Sequence, residues 1–490
     1  MADALKKKTA RAVKWNAIDR MLTQLLYAVT GIVLARLLSP EDFGLVGAVL
    51  IFQSFATLLI DSGFSYALLQ RKSPSRLDYS SVLWLNLGIA IIIYVILYLA
   101  APLIAGLFQG DRRLVPLSRL MFLTFILNAS AIVQVNRLTK QLNARPVAVA
   151  NAIGLCAGGV VGIWLAVEGY GAWAIVWQSI AISGVKSLVL WAVGDWWPMM
   201  RVSVASLRSF FAVGSGMMLT SFLNIVFNNI YSFLIGNRAG LAPLGYYTQA
   251  DKWSKMGVAS ITQVITSAFV PGLSDAQDQP QRFASLCSKM NRAVSYATFP
   301  CMLWLAVMAT PLFHLLFGAK WDVSIPLFQL LLLRGVFMIL TTLYMDIILA
   351  MGRSRSLVYL EGVRDAVSLV FLVAALPLIG WSSQSHPALG IELLLWGQVV
   401  AAVIGWWLTL RKASRISGVT VGRYIFDYLP YLGATLLVCI VIGYIGTLGW
   451  SPVPTLAAQT IIAIALYMFT NALAGSRVQA DAISYLRGRL

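Results

Sequence analysis

Charged side chains interrupt several stretches of this sequence that are otherwise apolar. A charged group at the centre of a bilayer costs roughly 2.5–3.5 kcal/mol, so such a residue usually faces a polar cavity or a partner of opposite charge. Arg20, Lys186 and Arg364 lie toward the ends of their stretches that adjoin basic loops, and Arg334 lies in the opposite half of its stretch. We predict that these four cations face a cavity.

Acidic neighbours offer these cations an alternative, structural role. Asp19 adjoins Arg20, and Asp365 adjoins Arg364. Adjacent side chains on a helix do not face each other, so we expect both acids to serve neighbouring helices. Four further basic residues lie near the opposite ends of their stretches, where a long side chain reaches the lipid headgroups. They are Arg36, Arg119, Lys252 and Lys255.

Amides and isolated carboxylates within apolar stretches form a second group of candidates. Asn224 and Asn228 are four positions apart, which places them on one face of a helix. Their amides suit sugar hydroxyls, but amides also join helices through hydrogen bonds, and both interpretations stay open. Asp61 and Asp346 are carboxylates that could bind a coupling ion.

Recognised catalytic and metal-binding motifs are missing from the sequence. The four cysteines are far apart without a C-x-x-C pair, and the two histidines are too few for a metal cluster. No Walker motif, zinc signature or Gly-x-Ser-x-Gly sequence occurs. We therefore expect no metal, no cofactor and no enzymatic activity.

The composition indicates an all-α integral membrane protein. Of the 490 residues, 59% are hydrophobic and 11% are charged, whereas soluble domains contain about 25% charged residues. A transmembrane helix needs about 20 consecutive, mostly apolar residues, and fourteen stretches meet this requirement. They are 17–38, 43–69, 82–107, 116–135, 146–167, 171–193, 210–235, 245–271, 294–317, 326–351, 357–379, 389–410, 428–448 and 456–473. The basic stretch 1–15 lacks a following cleavage site, so we interpret it as the start of a retained first helix.

The distribution of basic residues predicts the orientation. Alternate loops, beginning with the N-terminal stretch, contain twenty-five Lys and Arg, and the intervening loops contain four. Cytoplasmic loops are enriched in basic residues, which predicts an even number of spans with both termini in the cytoplasm. The net charge of +18 then needs no nucleic-acid partner.

A weak internal repeat suggests two lobes. The sequence before Gly44 and the sequence before Gly245 are similar at an offset of 201, and six predicted helices separate them. Both halves would then face the same way across the membrane, related by a pseudo-two-fold axis along its normal. We predict a lobe at 1–198, a second at 199–412, a cleft between them, and two additional helices at 413–490.

Several motifs resemble a known family. Residues 34–44 (LARLLSPEDFG) and 61–72 (DSGFSYALLQRK) resemble the first two signatures of the bacterial polysaccharide exporter family, within the multidrug/oligosaccharidyl-lipid/polysaccharide (MOP) flippase superfamily. Residues 228–236 with 244–250 are similar to the stretch over its seventh and eighth helices, and Lys320-Trp321 with 350–354 recur in the branch that resembles the colanic-acid flippase. One departure is Phe269-Val-Pro271, since the family usually has Phe-Pro near the end of its eighth helix.

The resemblance implies a flippase of the bacterial inner membrane that acts in the synthesis of cell-surface polysaccharide. Its cargo would be an undecaprenyl-pyrophosphate-linked oligosaccharide, moved from the cytoplasmic to the periplasmic leaflet by alternating access. Membrane lipids and the polymerase and glycosyltransferase machinery would be its partners. Cations suit the pyrophosphate, and arginine binds phosphate through two parallel hydrogen bonds. We therefore expect Arg20, Lys186 and Arg364 to engage the headgroup and Arg334 to serve the cleft further out.

Two other functions are compatible with part of the sequence. A cation-coupled drug or metabolite antiporter of the same superfamily would use Asp61 or Asp346 as its ion site. A membrane polysaccharide polymerase would need a sizeable loop or soluble domain to hold its substrate, and the predicted outer loops are short. The motifs of the polysaccharide branch favour the flippase.

Overall fold

The structure is a computed structural model that describes residues 2–61, 68–379, 388–486 and 488. Every regular element in these ranges is a helix. The chain divides into two compact units, Met1–Gly245 and Tyr246–Leu490. The division into 1–198, 199–412 and 413–490 stays a prediction.

Long helices account for almost all of both units. In Met1–Gly245 they are α1 Ala2–Leu37, α2 Pro40–Asp61, α3 Arg76–Leu107, α4 Leu114–Met121, α5 Leu123–Lys140, α6 Arg145–Val167, α7 Ala172–Val193 and α8 Val204–Arg238. Helix α9, Leu241–Asp275, begins in this unit and continues into the next. The others are α10 Pro280–Val307, α11 Ala309–Leu316, α12 Ser324–Ala350, α13 Ser354–Ala375, α14 Leu389–Ser417, α15 Val421–Gly446, α16 Pro452–Leu473 and α17 Arg477–Leu486.

Each of the fourteen predicted segments overlaps a helix. Within the described ranges, eleven helices are long and apolar enough to cross a membrane, and the pair α10 and α11, bent by 67°, adds a twelfth if it is one span. Helices α8 and α13 are outside this set, and α13 carries four charged residues. The all-α membrane fold is therefore established, and the count of fourteen stays a prediction.

Serine and aspartate define the starts of two of these helices. The Ser75 hydroxyl accepts from the Asp78 backbone N–H at 3.1 Å, while the Asp78 carboxylate accepts from the Ser75 N–H at 2.8 Å. Ser39 and Asp42 form the same reciprocal pair before α2. Such capping boxes satisfy N–H groups that a helix end leaves unpaired, which fixes where the helix begins.

Glycines allow helices to approach closely at two places in the first unit. Gly154 and Gly158 of α6 face α7, and a Cβ on Gly154 would lie 2.9 Å from the carbonyl oxygen of Ile182. Where α2 and α9 begin, a Cβ on Gly44 would overlap the Leu241 carbonyl, and one on Gly245 would overlap the Pro40 carbonyl.

The contact between α2 and α9 is reciprocal in the numbering of the repeat. The offset of 201 that pairs Gly44 with Gly245 also pairs Pro40 with Leu241. Gly44 thus approaches Leu241, and Gly245 approaches Pro40, which is the residue that the offset pairs with Leu241. The two-lobe arrangement that the weak sequence repeat suggests stays a prediction.

Ion pairs tie the start of α2 to the turn before α4. Arg113 forms ion pairs with Glu41 and, at 2.6 Å, with Asp111. Hydrogen bonds from the Arg113 side chain hold the pKa of Asp111 below its ordinary value. Two of these three groups, Arg113 and Glu41, are exposed, so the pairs orient the turn more than they stabilise it.

A buried polar network joins α10 to α15 in the second unit. Asp427 accepts from Ser288 at 2.6 Å and pairs with Arg292 at 3.0 Å. Asn291 donates to the Tyr424 carbonyl at 2.8 Å and accepts from the Tyr344 hydroxyl at 2.9 Å. A satisfied network in an apolar setting specifies one packing arrangement, so it fixes α15 against the unit.

Replacing Asp427 by asparagine is expected to destabilise the protein by about 1–3 kcal/mol, because buried partners would lose a charged acceptor. The readout is the melting temperature of the purified protein in detergent. Asp481→Asn is the matched control, since Asp481 pairs with Lys289 on α10 at 3.5 Å with both side chains exposed. A surface pair contributes little, so this variant should melt like the wild type. Equal melting temperatures for the two variants would contradict the role assigned to Asp427.

Candidate functional site

Lys186 lies in a polar cluster inside the first unit. Its side chain is partly buried on α7, and its positive charge interacts electrostatically with the Asp19 carboxylate of α1. Asn151 of α6 donates to both carboxylate oxygens of Asp19, at 3.1 and 3.0 Å. Three helices thus contribute one polar group each, and the acid serves neighbouring helices, as the sequence predicts.

Arg20 does not join this cluster. The residue follows Asp19 on α1, but its side chain is exposed. An exposed guanidinium on a long side chain is available to a ligand or to lipid headgroups. The structure therefore separates two cations that the sequence grouped together.

Arg334 lies on α12, where its guanidinium donates to the Gln398 side-chain oxygen on α14. Gln398 is only 5% exposed. The Arg334 Nε and the Gln398 Nε2 are both buried and have no hydrogen-bond partner. In the described ranges no carboxylate pairs with Arg334.

Buried donors without acceptors are costly, about 1–3 kcal/mol for each group and more for a charged one. The pair Arg334 and Gln398 therefore presents one positive charge and two N–H donors that lack an acceptor. An anion, or a group rich in hydroxyl oxygens, would satisfy them.

Arg364 pairs with its acidic neighbour Asp365, which was expected to serve another helix. Its Nη2 lies 3.0 Å from the Asp365 carboxylate on the same helix, α13. The stem of Arg364 packs against Gly405 of α14, where a Cβ would lie 3.0 Å from the Arg364 Cγ. The expectation that Asp365 serves another helix was wrong, because the long arginine stem lets the guanidinium reach back along its own helix. Arg364 is thus already neutralised locally.

The two asparagines of α8 bond along their own helix. Asn228 donates to the Asn224 backbone oxygen at 2.9 Å and also to the Asn224 side-chain oxygen. Both side chains are exposed, and neither amide joins α8 to another helix through these bonds. The arrangement leaves them accessible to sugar hydroxyls.

The two candidate ion-coupling residues differ in what the structure describes. Asp346 is 8% exposed on α12 and accepts from the Thr266 hydroxyl of α9 at 2.9 Å. The Asp61 side chain lies outside the described residues. Among the residues that are described, no group of three or more His, Cys, Asp or Glu is arranged to hold a metal ion.

Asn151 and Gln398 are site residues that sequence reasoning missed. Both are uncharged polar residues inside predicted spans, where a charged residue is a stronger sign of a functional site. The signal was present, since an amide in an apolar span usually has a polar partner. Which partner it has depends on how the helices pack.

A protein-family model described as "Polysaccharide biosynthesis protein" matches residues 33–326, more than half of the chain. The chain belongs to this polysaccharide biosynthesis family. The matched region covers the end of the first predicted segment and all of the second to the ninth. The resemblance to polysaccharide exporters, which short motifs indicated, is thereby confirmed.

Curated members of the polysaccharide biosynthesis group are similar along most of their length. The chain is 24% identical to the lipopolysaccharide biosynthesis protein WzxC of Escherichia coli (strain K12), over 87% of this chain and 86% of that protein. It is 25% identical to the succinoglycan biosynthesis transport protein ExoT of Rhizobium meliloti (strain 1021), over 83% and 81%.

Solved structures share the fold. The lipid II flippase MurJ in an inward closed conformation superposes with a TM-score of 0.68 at 14% identity, over 93% of this chain and 98% of that one. An inward-facing multidrug resistance MATE family transporter of the MOP superfamily gives a TM-score of 0.60 at 16% identity, over 84% and 99%. This family member is therefore a multi-pass membrane protein with the fold of that superfamily.

Proposed function

We propose that this protein is a flippase for undecaprenyl-pyrophosphate-linked oligosaccharides. The single observation that carries the proposal is the pair Arg334 and Gln398, a cation and an amide inside apolar helices whose buried donors lack an acceptor. The names of the relatives WzxC and ExoT, which refer to polysaccharide synthesis and transport, support the choice of cargo.

The physical task is to move sugars through hydrocarbon. Transfer of one unpartnered hydroxyl from water to alkane costs about 4–8 kcal/mol, and an oligosaccharide carries many hydroxyls. Polar groups inside the protein can replace the lost water while the lipid tail stays in the bilayer. Asn224 and Asn228 would serve sugar hydroxyls, and Arg334 with Gln398 would serve an anionic group or hydroxyl oxygens.

The cations would act at different depths. Lys186 lies near the end of α7 that adjoins the basic loops, so it would meet the pyrophosphate first. Arg20, exposed on α1, would bind the same group from outside the Lys186 cluster. Asp19 balances Lys186 in the absence of cargo, and an arriving pyrophosphate would compete with that carboxylate. Arg364 is the weakest candidate, because Asp365 already pairs with it.

The proposed setting is the bacterial inner membrane, with both termini in the cytoplasm and the lobes 1–198 and 199–412 alternating in access. The cargo would pass to polymerase and glycosyltransferase machinery on the periplasmic side. Asp346, buried with a single hydroxyl donor, is the candidate for ion coupling, and Asp61 is the second.

The test uses purified full-length protein in liposomes that contain a labelled lipid-linked oligosaccharide. Movement between leaflets is read by the fraction of label that a membrane-impermeant sugar oxidant reaches. Flipping that depends on the protein supports the proposal, and its absence contradicts it. Joining of repeat units without relocation would indicate a polymerase instead.

A cation-coupled antiporter is the second candidate, because a buried carboxylate such as Asp346 is what such a transporter requires. Cells that express the protein would then accumulate less of a cationic dye, and Asp346→Asn would restore accumulation. If dye levels do not respond to the protein while the lipid-linked sugar moves, the antiporter is excluded.

A further inference from the structure

A surface cavity of about 330 Å³ lies where α1 meets the turn between α5 and α6. Arg11 and Trp15 of α1 line one side, and Leu142, Asn143 and Arg145 line the other. Arg11, Asn143 and Arg145 are exposed, while Trp15 is partly buried. None of the functions discussed so far uses this cavity.

The chemistry of the lining favours an anion. Two guanidinium groups contribute charge, and no acidic residue lines the cavity. The Arg145 guanidinium lies over the Trp15 ring at 5.7 Å from its centroid, which holds one of the two cations in place. Each guanidinium can donate two parallel hydrogen bonds to phosphate oxygens.

The position in the sequence places the cavity at a membrane surface. Trp15 separates the basic residues of the N-terminal stretch from the apolar segment 17–38. Arg145 is the first residue of α6, which is itself long and apolar enough to span the membrane. Tryptophan and arginine at the ends of spans lie at the level of the lipid headgroups. The residues that line this cavity would therefore be within reach of lipid phosphates.

We propose that this cavity binds the phosphate group of a membrane-embedded lipid. The phosphate has two sources, an anionic phospholipid of the bilayer or the pyrophosphate of a prenyl lipid. Both present the same oxygens to Arg11 and Arg145. The site does not depend on transport, because its residues are separate from Lys186, Arg334 and their partners.

The experiment is native mass spectrometry of the purified full-length protein with added lipids. Wild-type protein is expected to retain phosphatidylglycerol in preference to phosphatidylcholine. The double variant Arg11→Gln/Arg145→Gln should bind it about tenfold or more weakly, because it loses hydrogen bonds between charged groups. The control Lys8→Gln/Lys14→Gln removes the same charge from exposed positions outside the cavity and should bind like the wild type.

A second variant and a competitor sharpen the result. Arg11→Lys/Arg145→Lys keeps the charge but loses the two-pronged geometry, so its affinity should be intermediate. Displacement of phosphatidylglycerol by farnesyl pyrophosphate would assign the site to a prenyl pyrophosphate, and resistance to displacement would assign it to the phospholipid. Equal binding of both phospholipids by the wild type, or equal loss in the Gln double variant and its Lys8/Lys14 control, would overturn the proposal. Melting temperatures establish that each variant is folded.

Discussion

Replacing Arg334 by glutamine is expected to reduce transport of the lipid-linked oligosaccharide by at least about tenfold, because a hydrogen bond to a charged group contributes roughly 1.5–3 kcal/mol. Melting temperature should stay the same or rise. The Arg334 Nε is buried without an acceptor in the absence of cargo, so removing the guanidinium relieves that cost. Transport would then fall without a loss of stability.

The measurement is leaflet relocation in liposomes, with surface polysaccharide at equal expression as the cellular counterpart. Arg119→Gln is the matched control, since Arg119 already donates to the Tyr98 carbonyl at 3.2 Å and stacks on its ring at 4.3 Å. Its transport should stay near the wild-type level. Parallel loss of melting temperature and transport in Arg334→Gln would show a structural role instead.

The same substitution at the other three cations completes the test. Lys186→Gln should lower transport, and Arg364→Gln should have the smallest effect, because Asp365 already neutralises Arg364. A loss of transport in Arg20→Gln would indicate that Arg20 binds the ligand, and unchanged transport would indicate contact with lipid headgroups. Full export by all four single variants would rule out the proposed role of these cations.

Replacing Gly44 by alanine is expected to lower the melting temperature strongly. The new Cβ would overlap the Leu241 carbonyl, which is backbone and cannot rotate away as a flexible side chain does. Overpacking of this kind costs roughly 1–3 kcal/mol and sometimes more. Gly245→Ala should have a similar effect, since its Cβ would overlap the Pro40 carbonyl.

Gly88→Ala is the control for this pair. It lies within α3 with nothing near its added Cβ, and alanine favours a helix over glycine. Its melting temperature should be unchanged or higher. Because Gly44 and Gly245 contribute to one contact, the double variant should lose less than the sum of the single losses. A Gly44→Ala protein that melts like Gly88→Ala would disprove the close approach of α2 and α9.

The apolar helices could be predicted from the sequence, because about 20 consecutive apolar residues are a local property of the chain. Each predicted segment overlaps a helix for this reason, and Asp19, Lys186 and Arg334 were found as charges inside such segments. The offset of 201 that pairs Gly44 with Gly245 was also visible in the sequence, and the structure places both glycines at the contact between α2 and α9.

The sequence alone determined that this chain is a helical membrane protein with charges buried in its spans. Only the tertiary structure decided what each charge meets: Asn151 for Asp19, Gln398 for Arg334, and Asp365 for Arg364. The same holds for the cavity of Arg11 and Arg145, whose residues come from distant segments. The physical reason is that hydropathy sets how deep a side chain lies, whereas its partner depends on helix rotation and on how far a flexible stem can bend.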